Sequence, residues 1–383
     1  MPSPVGPEGT RPWRASPPSF ATLSDLLATS DFPHVGSSER PERESVRAVQ
    51  DTVQRGLAGG DLFLDCIALQ LDAWERGQAF GAGLVPFARH PEAGVRFAFG
   101  FWPPGAGIDP HEHTDWTVTA VCHNALEVRT FEYDVAHAED RLVQRSLFPA
   151  PRGRAGHIYE PCIHAPRNPT RNWSISLHVT SPRDGARPRG ASEDWTDDWA
   201  TRRRATEPRA EGEPRSALVR CWQRRTQSDW HRALVGALSE IPGPRAVALL
   251  ERVFLAGNVG TKQLVCRGLE GLDSVRAAAL DEQWRRDLAM ATNGIARTEP
   301  DLALEVRLSG AFAELVAPTR SGALTLLVVG ESGEHALDLI ARERRLLLAE
   351  LPADLGGIDL VDLARALEDS GAFQVTHGAH PHE

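Results

Sequence analysis

The hydrophobic pattern of the chain changes its period twice, and this change limits the possible folds more than any other feature. Apolar residues recur at helical spacing before about Val85, alternate with polar residues up to about Pro182, and return to helical spacing beyond Arg215. The alternating region consists of short segments rich in β-branched and aromatic residues, separated by Gly, Pro and Asn. The sequence therefore predicts an α+β protein in which a β-unit, a barrel or a sandwich, lies between two helical regions.

The predicted organisation has four parts. Residues 1–19 are rich in Pro and Ser and are typical of a disordered leader rather than a signal peptide. Residues 20–182 hold the N-terminal helices and the β-unit. Residues 183–215 combine Pro, Gly and opposed charges with little apolar surface, which predicts a charged linker. Residues 216–383 are predicted to form a mainly helical C-terminal domain, whose short strands and following helices indicate a winged-helix-like end.

Composition argues against several classes of protein. The chain is globular by composition, since 41% of its residues are hydrophobic and 25% are charged. Its net charge of −10 gives no electrostatic attraction to nucleic acid, and no apolar run reaches the roughly 20 residues that span a bilayer. The five cysteines are odd in number and lack CxxC spacing. They are therefore predicted to be free thiols in a cytoplasmic protein.

The segment GAGIDPHEHTDW contains His111 and His113, two residues apart. Because side chains alternate faces along a strand, both imidazoles can face one ion, while Glu112 faces the other way. A bare pair of this kind is more often two solvated histidines than a metal site. Two further features favour the metal site: the pair lies within the strand region, and Gly105 stands where a tight turn into the strand is needed.

A later segment, CIHAPRNP, places His164 and Asn168 four residues apart in another predicted strand region. The two segments resemble the G-x5-HxH and H-x3-N patterns of the two cupin motifs, so His164 can complete a three-histidine set in a double-stranded β-barrel. The carboxylate that cupins usually add falls at Thr117 or Val118, and neither residue supplies one. Three neutral imidazoles would leave a divalent ion open to an anionic ligand such as a thiolate.

The same segments resemble the thiol dioxygenases typified by cysteine dioxygenase. FWPPGAGIDPHEHTDW is similar to the first metal-binding segment of that family and CIHAPRNPTRNWSISLHVTSP to the second, within about a quarter of the chain. The resemblance implies a cupin barrel that holds Fe(II) and uses O2 to oxidise the sulfur of a small thiol, of the cysteine or mercapto-acid type, to a sulfinate. It also implies that the iron ligands are His111, His113 and His164.

The resemblance implies further catalytic residues beside the iron. Ser176 and His178 match a Ser-His-Tyr relay in which the histidine orients a tyrosine hydroxyl towards substrate and oxygen. Here the third position is Thr180. Either the relay is broken, or Tyr159 reaches the same space from a neighbouring strand.

The predicted substrate-binding residue is Arg89, in a FAR segment that resembles the YTR segment of the family. A guanidinium can bind a carboxylate through two parallel hydrogen bonds. Arg96 and Arg167 are the other candidates. Asp115 stands two residues after His113, so its side chain can face the same side of an extended strand. A role in the turn or in supporting a ligand is nevertheless favoured over metal binding.

Two other functions fit the same residues. A metal-dependent cupin lyase, isomerase or carbon-oxidising dioxygenase would share the three histidines, and the missing tyrosine allows it. Alternatively, the barrel senses a small ligand and the C-terminal domain binds a peptide or DNA. The net acidic segment LVDLARALEDSG argues against DNA, because groove binding requires a cationic helix. A peptide or protein partner for the C-terminal domain stays open, and so does oligomerisation.

Overall fold

The structure is a computed structural model, and it describes residues 18–29, 31–76, 84–133, 142–188, 217–288, 293–298, 302–319 and 322–376. The chain divides into two compact units, Met1–Trp199 and Ala200–Glu383. Both units contain helices and sheets, which confirms the α+β class. Residues 1–17 of the predicted leader and residues 189–215 of the predicted linker lie outside the described residues.

Three helices precede the strands of the first unit: α1 (Pro18–Leu27), α2 (Arg43–Ala58) and α3 (Asp61–Glu75). Helix α2 is amphipathic, and its buried residues Val46, Val49 and Val53 recur at three- and four-residue intervals. Helix α3 is buried along most of its length. The N-terminal region is therefore helical, as its apolar spacing predicts.

Ten strands follow in the described part of the first unit. They are β1 (Leu84–Arg89), β2 (Arg96–Trp102), β3 (His111–His113), β4 (Thr117–His123), β5 (Ala125–Tyr133), β6 (Leu142–Pro151), β7 (Ala155–Ile158), β8 (Ile163–Arg167), β9 (Ser174–Thr180) and β10 (Ala186–Pro188). Strands β1-β2-β9-β4-β7, in that order, form one five-stranded sheet, here called the covered sheet. Strands β10-β3-β8-β5-β6 form the other, here called the histidine sheet.

The order of these strands defines the architecture. Without the outermost β1 and β10, the orders β2-β9-β4-β7 and β3-β8-β5-β6 are those of an eight-stranded jelly roll, the class that includes cupins. The predicted double-stranded barrel is therefore found as two antiparallel sheets. No ladder between the described strands joins the two sheets, so the barrel is not closed by backbone pairing.

The three helices pack against the outer face of the covered sheet. Phe20 of α1 contacts Phe97 of β2 edge to face at 5.4 Å between ring centroids, and Phe63 of α3 contacts Phe99 at 6.0 Å. Because strand residues alternate, Ala98 and its neighbours two residues away face the interior of the jelly roll. Both faces of this sheet are thus buried, and all seven residues of β9 are buried.

The interior has an apolar end and a polar end. Trp102 and Val121 of the covered sheet pack with Leu126 and Ala150 of the histidine sheet. Towards the opposite ends of β2, β4 and β9, the interior positions become polar. The apolar cluster therefore joins the two sheets at one end and leaves space for polar side chains at the other.

In the described residues, the second unit has four helices followed by two three-stranded sheets. The helices are α4 (Ala217–Ser239), α5 (Pro244–Ala256), α6 (Val259–Glu270) and α7 (Ser274–Leu288). The remaining elements are β11 (Gly294–Arg297), β12 (Glu305–Ser309), β13 (Phe312–Thr319), β14 (Gly322–Gly330), α8 (Glu334–Arg342), β15 (Arg345–Leu347), α9 (Leu360–Asp369) and β16 (Phe373–Thr376). The sheet orders are β15-β11-β16 and β12-β13-β14. The winged-helix-like end stays a prediction.

Two further predictions concern the whole chain. No helix in the described residues is both long enough and apolar enough to cross a bilayer. The four cysteines whose side chains are described, Cys66, Cys122, Cys162 and Cys266, are free thiols.

Candidate metal centre

Three histidines meet on the inner face of the histidine sheet. His111 and His113 lie on β3, and His164 lies on β8 directly opposite His111. The ring centroids of His111 and His164 are 4.3 Å apart, and those of His113 and His164 are 5.1 Å apart. One ring nitrogen from each histidine lies within 4.8 Å of the other two. The structure therefore brings together the three residues that the sequence predicts as metal ligands.

Each of these rings has an oxygen atom beside Nδ1. The partners of His111, His113 and His164 are, in turn, the carbonyl of Asp109 at 3.0 Å, the carboxylate of Asp184 at 2.7 Å and the carbonyl of Cys162 at 3.3 Å. Carbonyl and carboxylate oxygens accept hydrogen bonds, so Nδ1 carries the hydrogen in a neutral ring and Nε2 keeps its lone pair. This is the arrangement in which a histidine binds a metal through Nε2. The residues present fit a divalent metal ion.

Burial keeps two of the ligands in the form that binds metal. Desolvation lowers the pKa of His111, and it lowers the pKa of His164 to about 3 with help from the two neighbouring histidines. Both rings are thus neutral at physiological pH. A neutral imidazole has the free lone pair that coordination requires.

Asp184 supports one ligand and is the main residue of the site that sequence reasoning missed. Its carboxylate accepts from the backbone N–H groups of Thr114 at 3.1 Å and Asp115 at 3.2 Å, in addition to its contact with His113. The side chains of Asp184 and His113 are only 5% and 9% exposed. A carboxylate in this position fixes the tautomer and the orientation of a ligand histidine.

The location of Asp184 also changes the boundary of the β-unit. The sequence assigns residues 183–215 to a linker, but Ala186–Pro188 form β10 and pair with β3, which carries His111 and His113. The first residues of the predicted linker therefore belong to the histidine sheet. Their composition does not signal this role, because the contribution of β10 is backbone pairing.

Asp115 has a structural role. Its carboxylate lies between Arg40 at 3.1 Å and Arg183 at 3.0 Å, and it accepts a hydrogen bond from the Ser181 hydroxyl at 2.7 Å. These contacts occupy both carboxylate oxygens. Asp115 is thus a turn residue, the role that the sequence favours, and the group of ligands in the described residues contains no carboxylate.

A chain of hydrogen bonds lies on the inner face of the covered sheet. Ser176 Oγ is 2.8 Å from His178 Nε2, as the predicted relay requires. The chain extends at both ends: Trp102 Nε1 donates to Ser176 Oγ at 2.8 Å, and Thr119 Oγ1 is 3.1 Å from His178 Nδ1. Burial, with smaller contributions from the nearby His113 and His111, lowers the pKa of His178 to about 3. Trp102 and Thr119 are members that the sequence pattern does not indicate.

Tyr159 does not complete this chain. Its hydroxyl donates to the carbonyl of Pro41 at 2.9 Å, and the guanidinium of Arg40 lies 4.0 Å above its ring. Thr180, at the position of the family's tyrosine, is buried on β9 opposite Arg96. The atom that contacts His178 Nδ1 is instead the hydroxyl of Thr119.

Two of the three candidate arginines donate a hydrogen bond to a backbone carbonyl. Arg89 is exposed, and its Nε donates to the carbonyl of Gly94 in the turn between β1 and β2 at 3.3 Å. Arg167 donates from Nε to the carbonyl of Gly105 at 3.1 Å. Arg89 stands directly opposite Arg96 in the pairing of β1 with β2 and has no hydrogen bond to the three histidines in the described part of the chain, so its role as the substrate-binding residue stays a prediction.

Arg96 lies closer to the candidate metal centre. It pairs with Thr180 on the inner face of the covered sheet, and its terminal nitrogen donates to the carbonyls of Ser181 at 3.2 Å and Asp184 at 2.7 Å. Its Nε is buried and has no hydrogen-bond partner among the described residues. Arg96 is thus joined through Asp184 to His113.

Two predicted motif residues shape the loops that position the site. Gly105 has φ +72°, a left-handed conformation that favours glycine, in the turn that leads into β3. Asn168 is fully buried, and its amide donates to the carbonyls of Trp102 and Pro103 at 3.0 Å each. Asn168 thereby ties the loop after His164 to the end of β2.

The chain resembles solved structures over only part of its length. No protein-family model matches the chain, and no curated protein matches it. A structure of DMSP lyases is 16% identical over 25% of this chain and 44% of that chain, with a TM-score of 0.20. Recombinant oxalate oxidase in complex with glycolate is 16% identical over 29% and 57%, with a TM-score of 0.23. The Lactobacillus farciminis oxalate decarboxylase formate complex is 18% identical over 24% and 26%, with a TM-score of 0.21.

The chain spans between about a quarter and a little over half of the length of these proteins. TM-scores of this size carry no argument about fold or chemistry. The jelly-roll architecture follows from the order of the strands, and the candidate metal centre follows from the geometry of the three histidines.

Proposed function

We propose that the first unit is a thiol dioxygenase of the cupin superfamily that uses Fe(II) and O2 to convert a small, carboxylate-bearing thiol to a sulfinate. The observation that carries this proposal is the set of three imidazoles, His111, His113 and His164, without a carboxylate among the ligating groups of the described residues. Imidazole suits iron, and a ligand set without negative charge favours an added anion at the metal. A thiolate is such an anion.

The iron, when bound, would stabilise the thiolate form of the substrate and make its reaction with O2 accessible. The three histidines would hold the ion through Nε2, and Asp184 would keep the hydrogen of His113 on Nδ1. The apolar cluster of Trp102, Val121 and Leu126 closes one end of the interior to water. The reaction balances as thiolate plus O2 giving sulfinate, with both oxygen atoms on sulfur, so no external reductant is required.

Arg96 supports the choice of a thiol that carries a carboxylate. It lies on the inner face of the covered sheet, forms no ion pair among the described residues, and has a buried Nε without a hydrogen-bond partner. A half-buried guanidinium whose buried Nε–H has no acceptor favours an anionic partner. We therefore assign to Arg96 the role that the sequence predicted for Arg89.

The proposal is tested by metal analysis of protein purified without an affinity tag, followed by oxygen uptake on a panel of thiols with and without a carboxylate. We expect bound iron, oxygen uptake with carboxylate-bearing thiols, and a product that has gained two oxygen atoms by mass spectrometry. Protein that holds iron but consumes no oxygen with any thiol in the panel would contradict the reaction.

The role of Arg96 is tested against Arg89 with matched variants. Arg96→Gln should raise KM for a carboxylate-bearing thiol more than it lowers kcat, because it removes a binding contact away from the reacting sulfur. Arg89→Gln should leave both constants near those of the wild type. The reverse pattern would return the substrate contact to Arg89.

A second candidate function rests on the position of Tyr159. Its hydroxyl is bonded to the carbonyl of Pro41, and Thr180 occupies the tyrosine position of the family relay. A metal-dependent lyase, isomerase or carbon-oxidising dioxygenase would use the same three histidines without a tyrosine. Zinc-only protein that is inactive towards thiols would favour this second function.

A further inference from the structure

The hydrogen bonds on the covered sheet have a defined direction. An indole N–H only donates, so Ser176 Oγ accepts from Trp102 Nε1. Ser176 is fully buried, and the other partner of its hydroxyl in the described part of the chain is His178 Nε2 at 2.8 Å. The hydrogen of Ser176 therefore points to Nε2, because any other direction would leave a buried hydroxyl without an acceptor.

This direction determines where the hydrogen of His178 lies. Burial keeps the ring neutral, so it carries one hydrogen, and Nε2 is already the acceptor for Ser176. The hydrogen is then on Nδ1, which donates to Thr119 Oγ1 at 3.1 Å. The register of β4 and β9 places Thr119 directly opposite His178.

The hydroxyl hydrogen of Thr119 is not donated to any other member of this series of hydrogen bonds. Thr119 is partly exposed, whereas Trp102, Ser176 and His178 are buried. Among the described residues, its hydroxyl has no hydrogen-bond partner other than His178. A hydroxyl that accepts a hydrogen bond becomes a stronger donor, because bonds in a chain polarise one another.

We propose that Thr119 is the hydrogen-bond donor that the covered sheet presents to an anion bound at the three histidines. The inference rests on the metal centre of the proposed function, but it does not depend on which thiol is the substrate. It gives Thr119 the task that the sequence predicted for Tyr159. Trp102 and Ser176 are positioning residues, because they act through His178.

The experiment measures azide affinity of the full-length protein loaded with Co(II), by titration of the visible absorption bands. Azide probes the donor without thiol or O2, so the readout is separate from turnover. Thr119→Val should weaken azide binding about 10-fold, since it removes one hydrogen bond to a charged ligand. Thr119→Ser, which keeps the hydroxyl, should stay within about 3-fold of the wild type.

Thr52→Val is the matched control. Thr52 lies on α2, outside the jelly roll, and its hydroxyl donates to the carbonyl of Ala48 at 2.8 Å. It should bind azide like the wild type. A Thr119→Val protein with wild-type azide affinity, or a Thr52→Val protein with an equal loss, would overturn the proposal.

The Ser176→Ala variant tests the same proposal without altering Thr119. It removes the donor that holds the hydrogen of His178 on Nδ1, so azide binding should weaken although the hydroxyl is still present. Wild-type azide affinity in the Ser176→Ala protein would contradict the proposed direction of these hydrogen bonds. If the wild type binds azide as described but oxidises no thiol, only the proposed reaction fails. If the wild type does not bind Co(II), both fail.

Discussion

The two sheets that face each other in the first unit carry histidines in opposite environments. On the covered sheet, His178 has a side-chain partner at each ring nitrogen, Ser176 and Thr119, and helices lie behind the strand. On the histidine sheet, each ligand ring has an acceptor at Nδ1 and, among the described residues, no hydrogen-bond partner at Nε2, and the edge strand β6 is exposed along most of its length. A buried histidine is thus available to a metal where its surroundings supply one acceptor and leave Nε2 unbonded.

The largest expected effect comes from removing a ligand. His164→Ala should lose the metal, with affinity falling by more than about 100-fold, because loss of a ligand exceeds the 10–100-fold cost of losing a supporting contact. The metal content of dialysed protein measures this. His178→Gln, on the opposite sheet, should retain the metal. Equal loss in both variants would break the comparison between the sheets.

Removing the support of one ligand should have the next largest effect. Asp184→Ala leaves the three histidines in place but frees the ring of His113, so metal affinity should fall about 10–100-fold in a chelator competition. Glu112→Gln is the control, because Glu112 lies between the two ligands of β3 and faces the other way. A wild-type affinity for Asp184→Ala would show that the carboxylate is not needed to orient the ring.

A substitution on the covered sheet should affect stability rather than metal binding. A Cβ at Gly100 would lie 2.8 Å from Ser176 Oγ and 2.9 Å from Trp102 Nε1. Gly100→Ala should therefore lower the free energy of unfolding by about 1–3 kcal/mol, measured by urea denaturation of the metal-free protein. Gly156→Ala on β7 is the control, because its Cβ would meet nothing within 4 Å. Equal costs for the two variants would argue against tight packing at Gly100.

The pH dependence of stability also reports on the buried environment of His178. Burial holds the pKa of folded His178 at about 3, whereas an unfolded histidine has a pKa of about 6.5. As pH falls below about 6.5, the unfolded state takes up the proton first, so stability is lost by up to about 1.4 kcal/mol per pH unit. His178→Gln should reduce this slope in the metal-free protein between pH 6.5 and 4. An unchanged slope would mean that other groups dominate the acid response.

The smallest effect is expected at Tyr159, which belongs to neither set of histidines. Tyr159→Phe removes one hydrogen bond to the carbonyl of Pro41 and should cost about 0.5–1.5 kcal/mol of unfolding free energy. Thiol turnover and azide affinity should not change. A large loss of turnover would restore Tyr159 to the catalytic chain.

The sequence by itself determined the features that depend on local spacing. Alternation along a strand places His111 and His113 on one face, and it does the same for Ser176 and His178. The period of the apolar residues likewise locates the helices and strands of the first unit. These properties follow from the chain's own geometry and need no information about which strands become neighbours.

Only the tertiary structure decided which side chains meet across strands. Thr119 contacts His178 because the register of β4 and β9 sets them opposite each other, and a shift by one residue would turn Thr119 to the helices. Asp184 reaches His113 because β10 folds back onto β3, although its segment has the composition of a linker. Arg96, the substrate contact that we propose, reaches the carbonyl of Asp184, a contact that no spacing within its own segment indicates. Pairing between distant strands has no signature in the spacing of a single segment.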